Sequence, residues 1–253
     1  MTSNIRAELK KVLTVRSTYA IGLFFLALLG IISFYGHGFK ETPDAYGLFL
    51  AGTITSTATI ASFAGGIIGL LLMAHEYRYN TITYTLTSSN SRSKVIAAKA
   101  LVMFGLVFIY TVVAVVLALS LTRLGAAAAH HTMPHQNIDY LTYFAKTLFT
   151  TEAYALTGLL VATLVRNMQA SVAVLFIVPN SLEALLSTII KQPEKWLPFT
   201  ALAQVIEPPV VLNAKVHGVP NVVTPIHGAV VFLIYIVIGW LITWYLFLRR
   251  DAS

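Results

Sequence analysis

The chain of 253 residues is 57% hydrophobic and only 11% charged, with a mean hydropathy of +0.76. Soluble domains carry roughly 25% charged residues, so this composition excludes a water-soluble enzyme, and its richness in Leu, Ile, Val and Phe excludes disorder. With no cysteine, disulfides, thiolate metal sites and cysteine nucleophiles are excluded too, which leaves the net charge of +7 to be explained by its distribution.

Residues 4–16 read as a short basic amphipathic helix, with Ile5, Leu9, Val12 and Leu13 on one face and Arg6, Lys10 and Lys11 elsewhere. Such a helix lies in the membrane interface, as a topology anchor or as an elbow that also touches a cytoplasmic partner. The first apolar run, 18–35, follows with no small-residue cleavage site, so a retained span is expected rather than a signal peptide. The second run, 50–74, carries Gly52, Thr55, Thr59, Ser62, Gly66 and Gly69 at alternating spacings of 3 and 4, which places them on one helix face. A small-residue stripe lets helices approach closely; its hydroxyls at Thr55, Thr59 and Ser62 also qualify as lining of a transport path.

The segment 75–97 is the only inner connection long enough to hold a helix. It runs from His75-Glu76-Tyr77-Arg78 through Thr81-Ile82 to Ser91-Arg92-Ser93-Lys94, and Lys99 enters the third run, 98–120. The loop 121–142 contains His130, His131 and His135, but it is Ala-rich and broken by Pro134, so a solvated loop is expected rather than a metal site. The fourth and fifth runs, 143–165 and 170–190, are separated only by the link 166–169. About 45 residues greatly exceed one bilayer crossing, which predicts a tight turn there. Glu152 lies inside the fourth run; the fifth holds Pro179, Asn180 and Glu183. Proline interrupts the helix ladder, and a carboxylate at depth is a functional candidate by default. Asn180 and Glu183 therefore join the candidate path, although Glu183 is near enough to the outer end to reach the interface instead. The segment 191–225, with Trp196 and the apolar stretch from 201 to 206, predicts an interfacial or re-entrant piece before the last run, 226–248.

The cationic residues set an orientation. Arg6, Lys10, Lys11, Arg16, Arg78, Arg92, Lys94, Lys99, Arg166, Arg249 and Arg250 fall on one side, and Lys40, Arg123, Lys146, Lys191, Lys195 and Lys215 on the other. Glu8, Glu76 and Asp251 share the first side, and the other seven acidic residues the second. The expected architecture is all-α, one transmembrane domain over 1–253 with six spans and both termini cytoplasmic. The basic excess is then a topology signal, and no nucleic-acid partner is needed.

The loop after the second span resembles the corresponding loop in permeases of the type-2 ATP-binding-cassette (ABC) exporters. There a Glu just past the helix, a Thr-Ile pair and a basic Ser-Arg turn precede a Lys that opens the third span; the matching positions are Glu76, Thr81-Ile82, Ser91-Arg92 and Lys99. The stretch Glu8-Leu9-Lys10, continuing to Arg16-Ser17, is similar to the family's opening helix. The resemblance implies a permease subunit in a prokaryotic plasma membrane, paired with a second permease, with ATP and Mg on separate P-loop ATPase subunits. It implies that Glu76, Arg78, Thr81, Arg92 and Lys99 couple the ATPase to the path. Consistent with a separate motor, the chain contains no G-x-x-x-x-G-K-[ST], and Gly65-Gly66-Ile67-Ile68-Gly69 lies in an apolar run with no phosphate-binding Lys. The rival readings are a gradient-driven secondary transporter, which would show interrupted half-helices in two repeats, and an intramembrane enzyme, which would need convergent polar groups at one depth.

Overall fold

The computed structural model describes residues 2–40, 46–84, 92–131, 139–206 and 224–249, and its regular elements are all helical. In chain order they are α1 (Thr2–Thr14), α2 (Arg16–Ile31) continued by a π-helical stretch Ile32–Lys40, α3 (Tyr46–Arg78), α4 (Arg92–Ala128), α5 (Tyr140–Val165), α6 (Met168–Ile177), α7 (Glu183–Ile189), α8 (Pro198–Ile206) and α9 (Pro225–Arg249). Among the described residues six helical stretches are long and apolar enough to cross a membrane: Arg16–Lys40, Gly52–Arg78, Ser93–Ala128, Tyr140–Val165, Met168–Ile189 and Pro225–Phe247. The protein is a multi-pass membrane protein.

The helices outrun the apolar runs that reveal them. At 1.5 Å per residue, the 37 residues of α4 extend ~55 Å, well past a ~30 Å hydrocarbon core. The second connection shortens accordingly: α3 continues to Arg78 and α4 already begins at Arg92, so Lys99 lies two turns inside a helix rather than at the end of a loop. Residues 82–84 are helical; the rest of the expected docking helix, 85–91, lies outside the described residues, as does the histidine-bearing stretch 132–138.

The predicted tight turn between the fourth and fifth spans is present. Arg166 closes α5 in the left-handed conformation (φ 55, ψ 16), and Asn167 caps α6 by accepting from the Ala170 amide at 3.0 Å. Asp139 caps the other end of α5 through the Leu141 and Thr142 amides. In the fifth span Pro179 has no N–H to give, and Val178–Leu182 relaxes into a π-turn between α6 and α7. The Asn180 side chain donates to the Phe176 carbonyl at 2.9 Å, restoring a bond beside the break.

Helix α3 is the central element. Gly65 faces Thr151 and Gly69 faces Ala155, so α3 and α5 run parallel in close contact; a methyl on Gly69 would overlap the Ala155 carbonyl oxygen, and one on Gly158 the Gly66 carbonyl oxygen. The small-residue stripe is thus used for packing in its C-terminal part, at Gly66 and Gly69. Thr122 approaches Thr53 at 3.4 Å while Lys99 reaches the Leu72 carbonyl at 3.0 Å, so α4 runs antiparallel to α3. On α4, Tyr110 faces Gly22 and Leu121 faces Gly30, so α2 runs parallel to it; α9 runs parallel to α5, with Gly239 against Leu160 and, nearer the start of both helices, Phe232 and Tyr154 meeting the same Phe199 ring. These pairings put the start of α2 and the end of α9 at the same end of the bundle, together with Arg78, Lys99 and Arg166.

Candidate functional site

At that end, four charged side chains from three helices meet. Lys99 Nζ donates to Glu8 Oε2 at 2.7 Å, to Glu76 Oε1 at 2.8 Å and to the Leu72 carbonyl. Lys11 Nζ donates to Glu76 Oε1 at 2.7 Å and to Glu8 Oε1 at 2.9 Å. Glu8, Glu76 and Lys99 are 4%, 4% and 1% exposed, so three of the four are buried. Two carboxylates and two ammonium groups balance, as ions removed from water must. The cluster fastens α1 to the exit of α3 and the opening of α4. Burial alone would lower the Lys11 pKa, but the carboxylates of Glu76 and Glu8 outweigh it and hold it above the ordinary lysine value.

The cluster also sets the rotation of α1. The packed face carries Glu8 and Val12, whereas Leu9 and Leu13, which share the apolar face with Val12, are 43% and 57% exposed. The two ion-pairing side chains draw their own face onto the spans, and the leucines are left for lipid. Between α1 and α3 a groove of about 310 Å³ remains, lined by Val12, Val15, Leu71 and His75 among others.

The five residues expected to couple a motor separate into two groups. Glu76 and Lys99 are internal, as just described. Arg78, Thr81 and Arg92 border the connection itself: Arg78 is exposed and donates from Nη1 to Met168 Sδ at 3.7 Å, Thr81 donates its amide to the Glu76 carbonyl at 2.9 Å, and Arg92 is the first residue of α4.

Of the five path candidates the structure brings three together. Thr59, Ser62 and Asn180 line a groove of about 340 Å³ with Phe63, Tyr154 and Phe199, and Thr200 supplies a further hydroxyl. Rings face one another around it: Phe63 stacks on Phe176 at 5.4 Å and meets Tyr154 at 5.6 Å, and Tyr154 meets Phe199 at 5.2 Å. Ser62 Oγ is buried there without a hydrogen-bond partner. Thr55 lies one turn away and accepts, through its carbonyl, from the Thr59 hydroxyl at 2.8 Å.

Glu183 is used differently. Its Oε1 accepts from the Phe199 amide at 3.0 Å, and its Oε2 accepts from the Thr200 amide at 2.7 Å and hydroxyl at 2.8 Å. The carboxylate caps the amino end of α8 and pins that helix over the groove, where α8 also packs on α9 with Phe199 against Phe232. The apolar stretch noted before the last span lies in this short helix.

Sequence reasoning missed Glu8 and Lys11 as partners of Glu76 and Lys99. The available signal was an acidic residue, three positions from a lysine, in an otherwise basic helix. The aromatic half of the groove carried no such signal, because Tyr154 and Phe199 come from different helices, α5 and α8. In comparisons with known proteins, no family model and no curated protein matches the chain.

Proposed function

We propose that this chain is the membrane-spanning permease subunit of a type-2 ABC exporter, which moves a substrate outward with ATP hydrolysed on a separate subunit. The observation that carries the reading is the buried cluster of Glu8, Lys11, Glu76 and Lys99. Three of its members are positions on which the resemblance rests, and they converge from helices far apart in sequence. In this reading the chain lies in a prokaryotic plasma membrane with the cluster at the cytoplasmic end. Two permease subunits pair with two P-loop ATPase subunits, which hold the ATP and Mg. Thr81 and Arg92 sit in the docking connection, with Arg78 at its edge. Glu76 and Lys99 weld that connection to α3, so displacement at the ATPase is carried along a continuous helix. Thr59 is 17 residues from Glu76 on α3, ~25 Å at the helical rise, so one rigid rod joins the docking end to the groove. The groove's hydroxyls and rings, with no charged side chain lining it among the described residues, suit an uncharged amphipathic substrate.

Expression beside a P-loop ATPase subunit tests this. The two chains should copurify, and ATP should drive substrate movement in inverted vesicles containing both. ATP hydrolysis by the purified chain alone would overturn the reading.

One observation favours gradient-driven transport instead. Glu152 sits within the fourth span, half-buried, with Oε2 shielded and lacking a hydrogen-bond partner, and an ionisable group at depth is a functional candidate. A protonophore separates the two: ATP-driven transport persists in its presence, and gradient-driven transport stops.

A further inference from the structure

The groove of about 340 Å³ between α3, α5 and α8 has a hydrogen-bonding bias set by where its protons already go. Thr59 donates its hydroxyl proton to the Thr55 carbonyl at 2.8 Å. Thr200 donates its own to Glu183 Oε2 at 2.8 Å, since an ionised carboxylate can only accept. Asn180 gives one N–H to the Phe176 carbonyl at 2.9 Å, which identifies the nitrogen end of its amide and leaves Oδ1 to accept. A hydroxyl has one proton and two lone pairs, so both threonines now offer lone pairs alone. The groove therefore presents acceptors at three points, on α3, on the π-turn after α6 and on α8. The Tyr154 phenol on the same lining can donate as well as accept, and Ser62, 2% exposed, holds a hydroxyl without a partner beneath it.

The rest of the wall is carbon. Phe63, Tyr154 and Phe199 follow one another at 5.6 and 5.2 Å, inclined at 62° and 58°, so the rings form a curved surface. The negative face of an aromatic ring attracts positively polarised C–H groups. Thr59 and Asn180 are exposed along their spans, where acyl chains supply no donor. An occupant that satisfies them brings protons of its own into the bundle.

Hydroxyl groups match this lining best, because each gives one proton and still accepts from a phenol. An ammonium head group would donate without accepting and would need a counter-ion once out of water; Glu183 is already taken by two amides and a hydroxyl of α8. Ethers and ketones could not donate. We propose that the groove takes an uncharged amphiphile whose head group is a sugar or cyclic polyol. Its hydroxyls donate to Thr59, Thr200 and Asn180, one of its oxygens accepts from Tyr154, and its C–H face lies on the aromatic wall. The proposal deepens the reading of this groove as the substrate's path and rests on that reading for its role in transport.

The test uses the full-length chain in tetraethylene glycol octyl ether, a detergent of ether acceptors with a single hydroxyl. It is titrated with octyl glucoside, with the tetra-O-methyl ether of that glucoside, and with octylammonium, and bound ligand is counted by native mass spectrometry. One octyl glucoside should bind per chain, about tenfold tighter than its methyl ether, which keeps the ring, tail and oxygens but has no proton to give. Thr59→Val is isosteric and leaves the helical backbone intact; Tyr154→Phe keeps the ring. Each should weaken the glucoside about fivefold with unfolding temperatures near the parent's, and Thr59→Val should leave the methyl ether's binding unchanged. Equal binding of the glucoside and its methyl ether, parental glucoside affinity in both variants, or tighter binding of octylammonium overturns the proposal. ATP-driven movement beside an ATPase is measured separately. Its absence with the glucoside preference intact would retract the exporter and keep the site; transport without that preference would keep the exporter and remove the sugar.

Discussion

Lys99 carries its charge at 1% exposure, held by two carboxylates on other helices and by the Leu72 carbonyl. A buried ion group of this kind adds little net stability over an apolar equivalent, but removing one partner strands the rest. Lys99→Met should therefore cost about 3–5 kcal/mol, because Lys11 alone is left to balance Glu8 and Glu76. Lys99→Met combined with Glu76→Gln removes one charge of each sign and should recover much of that loss. Thermal unfolding followed by circular dichroism in detergent checks both, and equal destabilisation by the single and double variants would remove pairing as the cause. The cluster also has a pH sense. With the folded Lys11 pKa above its ordinary 10.5, its contribution is fully present below the unfolded value and fades as pH rises through the folded one. Anchoring of α1, followed by protease cleavage within residues 2–14, should be unchanged from pH 7 to 9 and fail only in strongly alkaline solution.

At the scale of elements, α8 is nine residues long, too short to be stable alone. It is ordered by packing on α9 and by Glu183, which satisfies two of its leading amides. Glu183→Ala removes both bonds and should cost about 1–2 kcal/mol, while Glu183→Gln keeps an acceptor and should lose less. Hydrogen exchange at the Phe199 and Thr200 amides reads this out: faster exchange in Glu183→Ala with α5 unchanged is expected, and parental rates would deny the cap. The same contact shows where sequence legibility stops. The six apolar runs, the turn at 166–167 and the break at Pro179 are local signals, and each locates its element. A carboxylate that caps a helix 16 residues further along obeys no period, so Glu183 read equally well as an interfacial or a path residue. Likewise, periodicity put Leu9 and Leu13 on the apolar face of an interfacial helix but carried no sign of which face meets the spans; the pairing of Glu8 with Lys99, 91 positions away, decides that. Thr59, Ser62 and Asn180 were each legible as polar residues in spans. That they share a groove, and that Thr55 does not line it with them, follows from how α3 crosses α5 and α6.

For the molecule as a whole, helix pairing puts the start of α2 and the end of α9 at one end of the bundle, and the cationic residues there create a charge difference between its ends. The two facts have independent origins. Paired close contacts, such as Gly65 with Thr151 and Gly69 with Ala155, fix which helices run parallel, whereas the charge excess decides which end is retained in the cytoplasm during insertion. Arg6, Lys10, Lys11 and Arg16 precede the first span and dominate that decision, since early charges usually do. Alkaline phosphatase, active only when exported, should therefore be inactive when fused after Ser253 and active when inserted near Gln136. Green fluorescent protein at the same two places should give the opposite pattern. Lys10 is the informative variant, because it contributes to the charge excess without joining the ion cluster that holds Lys11. Lys10→Gln with Arg6→Gln and Arg16→Gln should lower the fidelity of orientation while leaving Glu8, Lys11, Glu76 and Lys99 intact. If phosphatase activity at 253 then rises while the properly inserted fraction keeps the parental unfolding temperature, orientation and assembly are separate properties of the chain. Reporters at 253 and 136 on the same face would instead contradict the three crossings, an odd number, that separate the two sites, and with them the six-span arrangement itself.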